Sequence, residues 1–158
     1  MYLKEFIISE NLKKKYVLDA SVVIKWYFTK NESELDIANY FYERVSKNEI
    51  IIASPDLIMY EVLNFFTSKL EVPLEKINDI LSELNDIIFV INTDSAIQLK
   101  SFEISRKIKK SVYDSIYVAL SELLDSPLIT ADNKLRQDAK INGYDVLLLS
   151  EFMGDRAF

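Results

Sequence analysis

Histidine and cysteine are both missing from this chain of 158 residues. Without them there is no Ser-His-Asp or Cys-His nucleophile system, no thiolate zinc site, no histidine-ligated haem and no disulfide. Any acid–base or metal chemistry must therefore run on carboxylates. Glycine is nearly as scarce, with Gly143 and Gly154 the only two, so neither a G-x-G-x-x-G dinucleotide turn nor a Walker-type phosphate loop can form. No apolar run approaches the ~18 to 20 residues of a membrane span, which makes a cytoplasmic protein the expectation. Positive charge is in deficit as well: 19 Lys+Arg stand against 25 Asp+Glu, for a net charge of −6. That balance excludes a uniformly basic nucleic-acid binder and leaves only local basic patches. The candidates are Lys13 to Lys15 and the run Arg106, Lys107, Lys109 and Lys110.

What is present is ordinary globular material, 49% hydrophobic and 28% charged, enough for one core and one domain over residues 1–158. Residues 1–15 form a leader without a clear pattern: an edge element or an outer helix. Beyond it, short β-branched or apolar runs at Tyr16 to Leu18, Ile50 to Ala53, Ile87 to Ile91, Leu128 to Thr130 and Val146 to Leu149 read as strands. Helical spacing fills the intervals: Ser21 to Phe28, Glu34 to Ser46, Asp56 to Lys69, Leu74 to Leu84, Thr93 or Asp94 to Lys107, Tyr113 to Leu124, and Asn133 to Ile141 with Gly143 as its stop. Alternation of this kind predicts an α/β fold with a mostly parallel sheet.

Four acids stand out because they sit in apolar surroundings. Asp19 ends Tyr16-Val17-Leu18, and Asp132 follows Leu128-Ile129-Thr130-Ala131; each is either a helix cap or a ligand at the carboxyl edge of a sheet. Glu61 lies in Leu57-Ile58-Met59-Tyr60-Glu61-Val62-Leu63, where an unpaired buried carboxylate would cost several kcal/mol. It is on an exposed stripe with Asn64 and Ser68, paired with a basic residue, or bound to a cation. Asp114 follows Ser111 by three positions, which suits a capping box as well as a site. Brought together without histidine, these acids would repel one another unless a hard cation sat among them. Oxygen ligands with retained waters suit Mg²⁺ or Mn²⁺.

The ordered segments Leu18-Asp19-Ala20-Ser21-Val22-Val23-Ile24-Lys25-Trp26, Glu61 in its apolar helix, Val112-Tyr113-Asp114-Ser115-Ile116-Tyr117-Val118-Ala119-Leu120-Ser121-Glu122 and Leu128-Ile129-Thr130-Ala131-Asp132-Asn133-Lys134-Leu135 resemble the signature of PIN-domain ribonucleases. The resemblance is strongest to VapC-type toxins of toxin–antitoxin pairs and runs from about Tyr16 to Leu149. It implies a three-layer α/β/α fold whose five-stranded parallel sheet has the order 3-2-1-4-5, with strands 1 and 4 adjacent. It implies a metal-dependent endoribonuclease in which Asp19, Glu61 and Asp114 hold Mg²⁺ or Mn²⁺ and Asp132 is the more variable fourth acid. Ser21 and Thr130 would be polar supports of the pocket on the substrate side. A VapB-type antitoxin and a homodimer are the implied partners. Two features depart from the pattern: Ser115 stands where alanine is usual, and the leader is long.

From the residues themselves, Arg106, Lys107, Lys109 and Lys110 either flank the cleft and guide the RNA backbone or favour the helix dipole from a solvated end. Trp26 and Tyr27 either stack bases or belong to the core. A non-catalytic PIN-like module that binds RNA or protein is the main competing function. A phosphoacceptor receiver domain lacks its parts here: Asp19-Ala20-Ser21 holds no acid pair, and Glu151 follows the last strand where a lysine is needed.

Overall fold

The computed structural model describes residues 1–4, 13–69 and 71–152. Most of the leader, residues 5–12, lies outside the described residues. In chain order the elements are β1 (Lys15–Leu18), α1 (Ala20–Val23) with a 3₁₀ turn (Ile24–Trp26), α2 (Leu35–Ser46), β2 (Ile51–Pro55), α3 (Leu57–Thr67), α4 (Leu74–Ile87), β3 (Phe89–Ile91), α5 (Ser95–Ile108), α6 (Val112–Leu124), β4 (Leu128–Thr130), α7 (Asn133–Ile141) and β5 (Val146–Leu148), followed by a 3₁₀ turn (Leu149–Glu151). Every strand pairing is parallel, in the order β3-β2-β1-β4-β5.

The order explains the layers. From β1 the chain steps outward through β2 to β3, then returns past β1 to β4 and on to β5. Right-handed crossovers in opposite directions place α1 to α4 on one face and α5 to α7 on the other. The central strands are thus covered on both sides, and β2 and β4 are buried at every position, as continuous apolar runs in parallel sheets require. The edge strand β3 is only half-buried at Phe89 and Val90. Its free side is met by the chain start, since the Met1 ammonium donates to Val90 O at 3.3 Å and Asn92 N donates to Met1 O at 3.0 Å.

Several boundaries differ from expectation for physical reasons. The helix expected from Ser21 to Phe28 is one α turn that tightens to 3₁₀ geometry. Helix α4 continues to Ile87 because Ile80, Leu84 and Ile87 prolong its apolar face, and Ile88 N still donates to Leu84 O at 3.0 Å; β3 is shortened accordingly. Pro55 ends β2 rather than opening a helix. Gly143 has φ +86°, and its N–H donates to Lys140 O at 3.0 Å. A Cβ there would meet nothing, so the left-handed backbone alone calls for glycine.

Candidate active site

Strands β1 and β4 lie side by side in the register Val17↔Leu128 and Leu18↔Ile129. The residues that follow them, Asp19 and Thr130, are therefore neighbours at the carboxyl edge. This is the switch point of the sheet, where β1 leads away to β2 on one side and borders β4 on the other. Asp19 is the N-cap of α1 and accepts from Ser21 N at 2.9 Å. The Ser21 and Thr130 hydroxyls also donate to its two carboxylate oxygens. Those hydroxyls are fixed in turn: Ala131 N donates to Ser21 Oγ at 2.9 Å, and Asp132 N to Thr130 Oγ1 at 3.0 Å. Asp19 is 7% exposed, and its burial pushes the carboxyl pKa above the ordinary range even though these hydrogen bonds act in the other direction.

Glu61 reaches the same edge from α3. It is half-buried and receives the Tyr117 hydroxyl of α6. Burial raises its pKa, the Tyr117 hydrogen bond opposes the shift, and the charges of Asp19 and Asp114 raise it further. Burial also pushes Tyr117 well up, as does the charge of Glu61. Asp114 lies in the first turn of α6, one turn before Tyr117. Ser111 caps that helix by accepting from Asp114 N at 3.1 Å, and its hydroxyl donates to Asp114 Oδ2 at 2.9 Å. The Ser111 cap does form, without the return bond to the Ser111 backbone N–H that completes a capping box, and the Asp114 carboxylate also contributes to the field at Glu61. Asp132 is exposed and caps α7, accepting from Leu135 N at 2.9 Å. Thr130 joins it to the cluster, with its hydroxyl donating to Asp19 and accepting from the backbone of Asp132.

Asp19, Glu61 and Asp114 thus form an all-oxygen set in which the charges of Asp19 and Asp114 oppose the ionisation of Glu61. A divalent hard cation relieves that repulsion, so the donor chemistry suits Mg²⁺ or Mn²⁺. Among the described residues no three carboxylates converge closely enough to cage an ion unaided. That spacing is compatible with an ion that keeps several of its waters.

The basic run Arg106 to Lys110 ends beside Ser111, the cap of the helix that carries Asp114. Lys107 lines a cavity with Ser126 and Tyr144, which directly precede the segments entering β4 and β5, at the opposite end of the sheet. Lys110 is paired with Asp138 at 3.3 Å, and the Arg106 guanidinium lies 4.9 Å from the centre of the Phe102 ring. Lys109 is exposed in the left-handed C-cap of α5. Lys13 to Lys15 lead into the amino end of β1, again away from Asp19. Trp26 donates from its indole to Ala38 O at 2.9 Å and packs edge-on against Tyr42, so it is a core residue rather than a base-stacking platform. Ser21 and Thr130 have their hydroxyl protons directed at Asp19, which makes them positioning groups rather than substrate contacts. Tyr117, to which sequence reasoning gave no role of its own, orients Glu61.

In a parallel α/β domain the switch point at the carboxyl edge is where ligand sites form, and here it carries carboxylates. The chain belongs to the PIN domain family, whose model matches residues 16–141. A search of curated protein sequences gives no match. Similar solved structures include a toxin–antitoxin complex from Klebsiella pneumoniae (TM-score 0.63, 18% identity, covering 87% of this chain and 99% of that one). FitAcB from Neisseria gonorrhoeae is similar too (TM-score 0.63, 13% identity, 87% and 99%), as is VapBC2 from Rickettsia felis bound to a DNA fragment from its promoter (TM-score 0.59, 14% identity, 85% and 96%). At these identities the likeness is one of fold.

Proposed function

We propose that the protein is a Mg²⁺- or Mn²⁺-dependent endoribonuclease acting as the VapC-type toxin of a type II toxin–antitoxin pair. The observation that carries this reading is the buried Asp19 carboxylate. It is locked by Ser21 and Thr130 and raised in pKa by burial, and its charge acts on Glu61 together with that of Asp114. A helix cap needs none of this apparatus. Asp19, Glu61 and Asp114 would hold the ion, and Asp132 would face the same opening. When bound, the ion supplies an acidified water and offsets the charge that develops on the phosphate.

The chain's own residues do the positioning. Thr130 and Ser21 fix both oxygens of Asp19, Tyr117 fixes Glu61, and Ser111 holds Asp114 at its helix entrance. The toxin reading draws on the fold shared with toxin–antitoxin complexes and implies a partner of the VapB type and a homodimer. No helix among the described residues is long and apolar enough to cross a membrane, in keeping with a cytoplasmic site of action. The test is cleavage of RNA by purified protein with Mg²⁺ or Mn²⁺, with and without excess chelator. Cleavage that stops with chelator and is lost in Asp19→Asn supports the assignment; RNA binding without cleavage by the intact protein would favour the non-catalytic module instead.

A further inference from the structure

Helix α3 carries Glu61 toward the carboxylates and Phe65 one turn later on the same face, and Ser68 and Lys69 follow where the chain leaves the helix after Thr67. Phe65, Ser68 and Lys69 line a second cavity of about 480 Å³, within the ~300 to 1,000 Å³ typical of small-ligand pockets. The opposite wall comes from the loop after α1, the element that Asp19 caps, and includes Phe28 and Lys30. Both walls of this cavity therefore grow directly out of the active site.

The lining is cationic and aromatic. The Lys69 ammonium lies 5.1 Å from the centres of both the Phe28 and the Phe65 rings, which themselves meet edge-on at 5.2 Å. Among the described residues neither Lys69 nor Lys30 is paired with a carboxylate. Glu32, on the same wall, is neutralised by the buried Lys25 at 2.6 Å, and Lys25 also donates to Ser33 O at 3.1 Å, which pins the loop. Glu71 is the remaining negative charge on the lining and is exposed. On an acidic protein, two lysines without a carboxylate partner, one of them over aromatic rings, match the charged grooves and aromatic platforms that bind single-stranded nucleic acid. From Glu61 to the end of α3 at Thr67 the helix rises ~9 Å, about three nucleotides at the ~3.4 Å rise of a stacked strand, and Lys69 lies two residues beyond that end.

We propose that the cavity between α3 and the loop after α1 is an RNA subsite. In it Lys69 and Lys30 take a phosphate, and the Phe28–Phe65 pair takes the base, of a nucleotide a few positions from the scissile bond. The subsite rests on the ribonuclease reading above and adds a grip on the substrate away from the scissile bond.

The test uses full-length Asp19→Asn protein, which leaves the substrate uncut, and a short fluorescent single-stranded RNA of mixed sequence over a range of salt concentrations. Adding Lys69→Gln should weaken binding and lower the slope of log affinity against log salt by ~0.7, the loss of one phosphate contact to a single strand. Lys30→Gln should do the same. Phe65→Leu should weaken binding about tenfold with the slope unchanged, as for one lost base stack, and Glu71→Gln should tighten it. Lys47→Gln, on the far end of α2, is the control, and circular dichroism melting checks that each variant is folded. If Lys69→Gln and Phe65→Leu bind like their parent while the wild-type chain still cleaves RNA, the subsite is overturned and the enzyme assignment stands. If the two changes instead disrupt only a complex with a protein partner, the cavity is a peptide site and the proposal is again overturned. RNA neither bound nor cut would remove both readings.

Discussion

At the β1–α1 junction Asp19 caps a helix with φ −88° and ψ 170°; at the β3–α5 junction Asp94 does so with φ −81° and ψ 178°. Both follow strands and lie in the same backbone region, and each accepts a backbone N–H of its own first turn, from Ser21 at 2.9 Å and Ile97 at 3.1 Å. Local sequence logic treats them alike. They differ in what surrounds them. The edge position of β3 leaves Asp94 half-buried beside the chain start, while the central position of β1 buries Asp19 against Thr130 of β4, where its charge acts on Glu61 of a neighbouring helix. Sheet order, rather than the capping residue, turns one of these two aspartates into a site.

The largest test of that contrast is activity. Asp19→Asn retains a good cap, so the fold should survive, but RNA cleavage in Mn²⁺ should fall by about a hundredfold or more, at least the upper end of what an outer-shell change costs a metal site. Asp94→Asn should cleave at close to the wild-type rate. Equal activity for the two variants would erase the distinction.

Thr130→Val comes next. It keeps the side-chain shape and removes the hydroxyl that donates to Asp19 and accepts from Asp132 N. Thr130 is fully buried, so an orphaned acceptor and donor should cost ~1 to 3 kcal/mol of stability. As a positioning group it should also cost ~10- to 100-fold in activity or metal affinity. A variant that lost stability but bound Mn²⁺ with unchanged affinity would make Thr130 a packing residue only.

Much of this organisation was legible in the sequence. Buried parallel strands need unbroken β-branched runs, so all five strands show, and Asp19 and Asp132 follow directly from where two of them end. The strand order came from the resemblance and agrees with the structure. Tyr117 was not legible, because its partner Glu61 is 56 residues away and an aromatic residue at helical spacing looks the same whether its hydroxyl is engaged or not. The basic run divides for a geometric reason. At 3.6 residues per turn, neighbours in a helix point about 100° apart, so Arg106 and Lys107 cannot form one row. The cavity beside α3 went unnoticed because its two lysines, Lys30 and Lys69, are separated in the chain by α2, β2 and α3.

A smaller effect separates the two junctions by pH. With chelator present, Asp19 and Glu61 are held above the ordinary carboxylate range, burial being the main cause. The native state then binds more protons than the unfolded one between ~4 and the raised native values, so these groups make stability fall as pH rises through that window. Other carboxylates add their own slopes. The quantity to measure is therefore the difference between wild type and Asp19→Asn in urea unfolding across that range. Wild type should lose stability relative to the variant as pH rises, and Mn²⁺ should reduce the loss. A difference of the opposite sign would mean that the native site stabilises the ionised form without a cation.

The smallest effect concerns Asp132, which stands between the two cases, exposed like an ordinary cap yet joined to Asp19 through Thr130. Its bond from Leu135 N at 2.9 Å is a full capping interaction, so Asp132→Ala should cost ~0.5 to 2 kcal/mol in Mn²⁺. If its charge also belongs to the repelling cluster, the same substitution should cost less in chelator, because removing a like charge partly offsets the lost cap. It should then also reduce the stabilisation gained on adding Mn²⁺, since an ion that binds only the folded form stabilises it according to its affinity. Denaturant unfolding of wild type and variant, each with chelator and with Mn²⁺, gives both quantities at once. Equal losses in the two conditions, with the Mn²⁺ increment unchanged, would place Asp132 beside Asp94 as a cap and leave Asp19, Glu61 and Asp114 as the site.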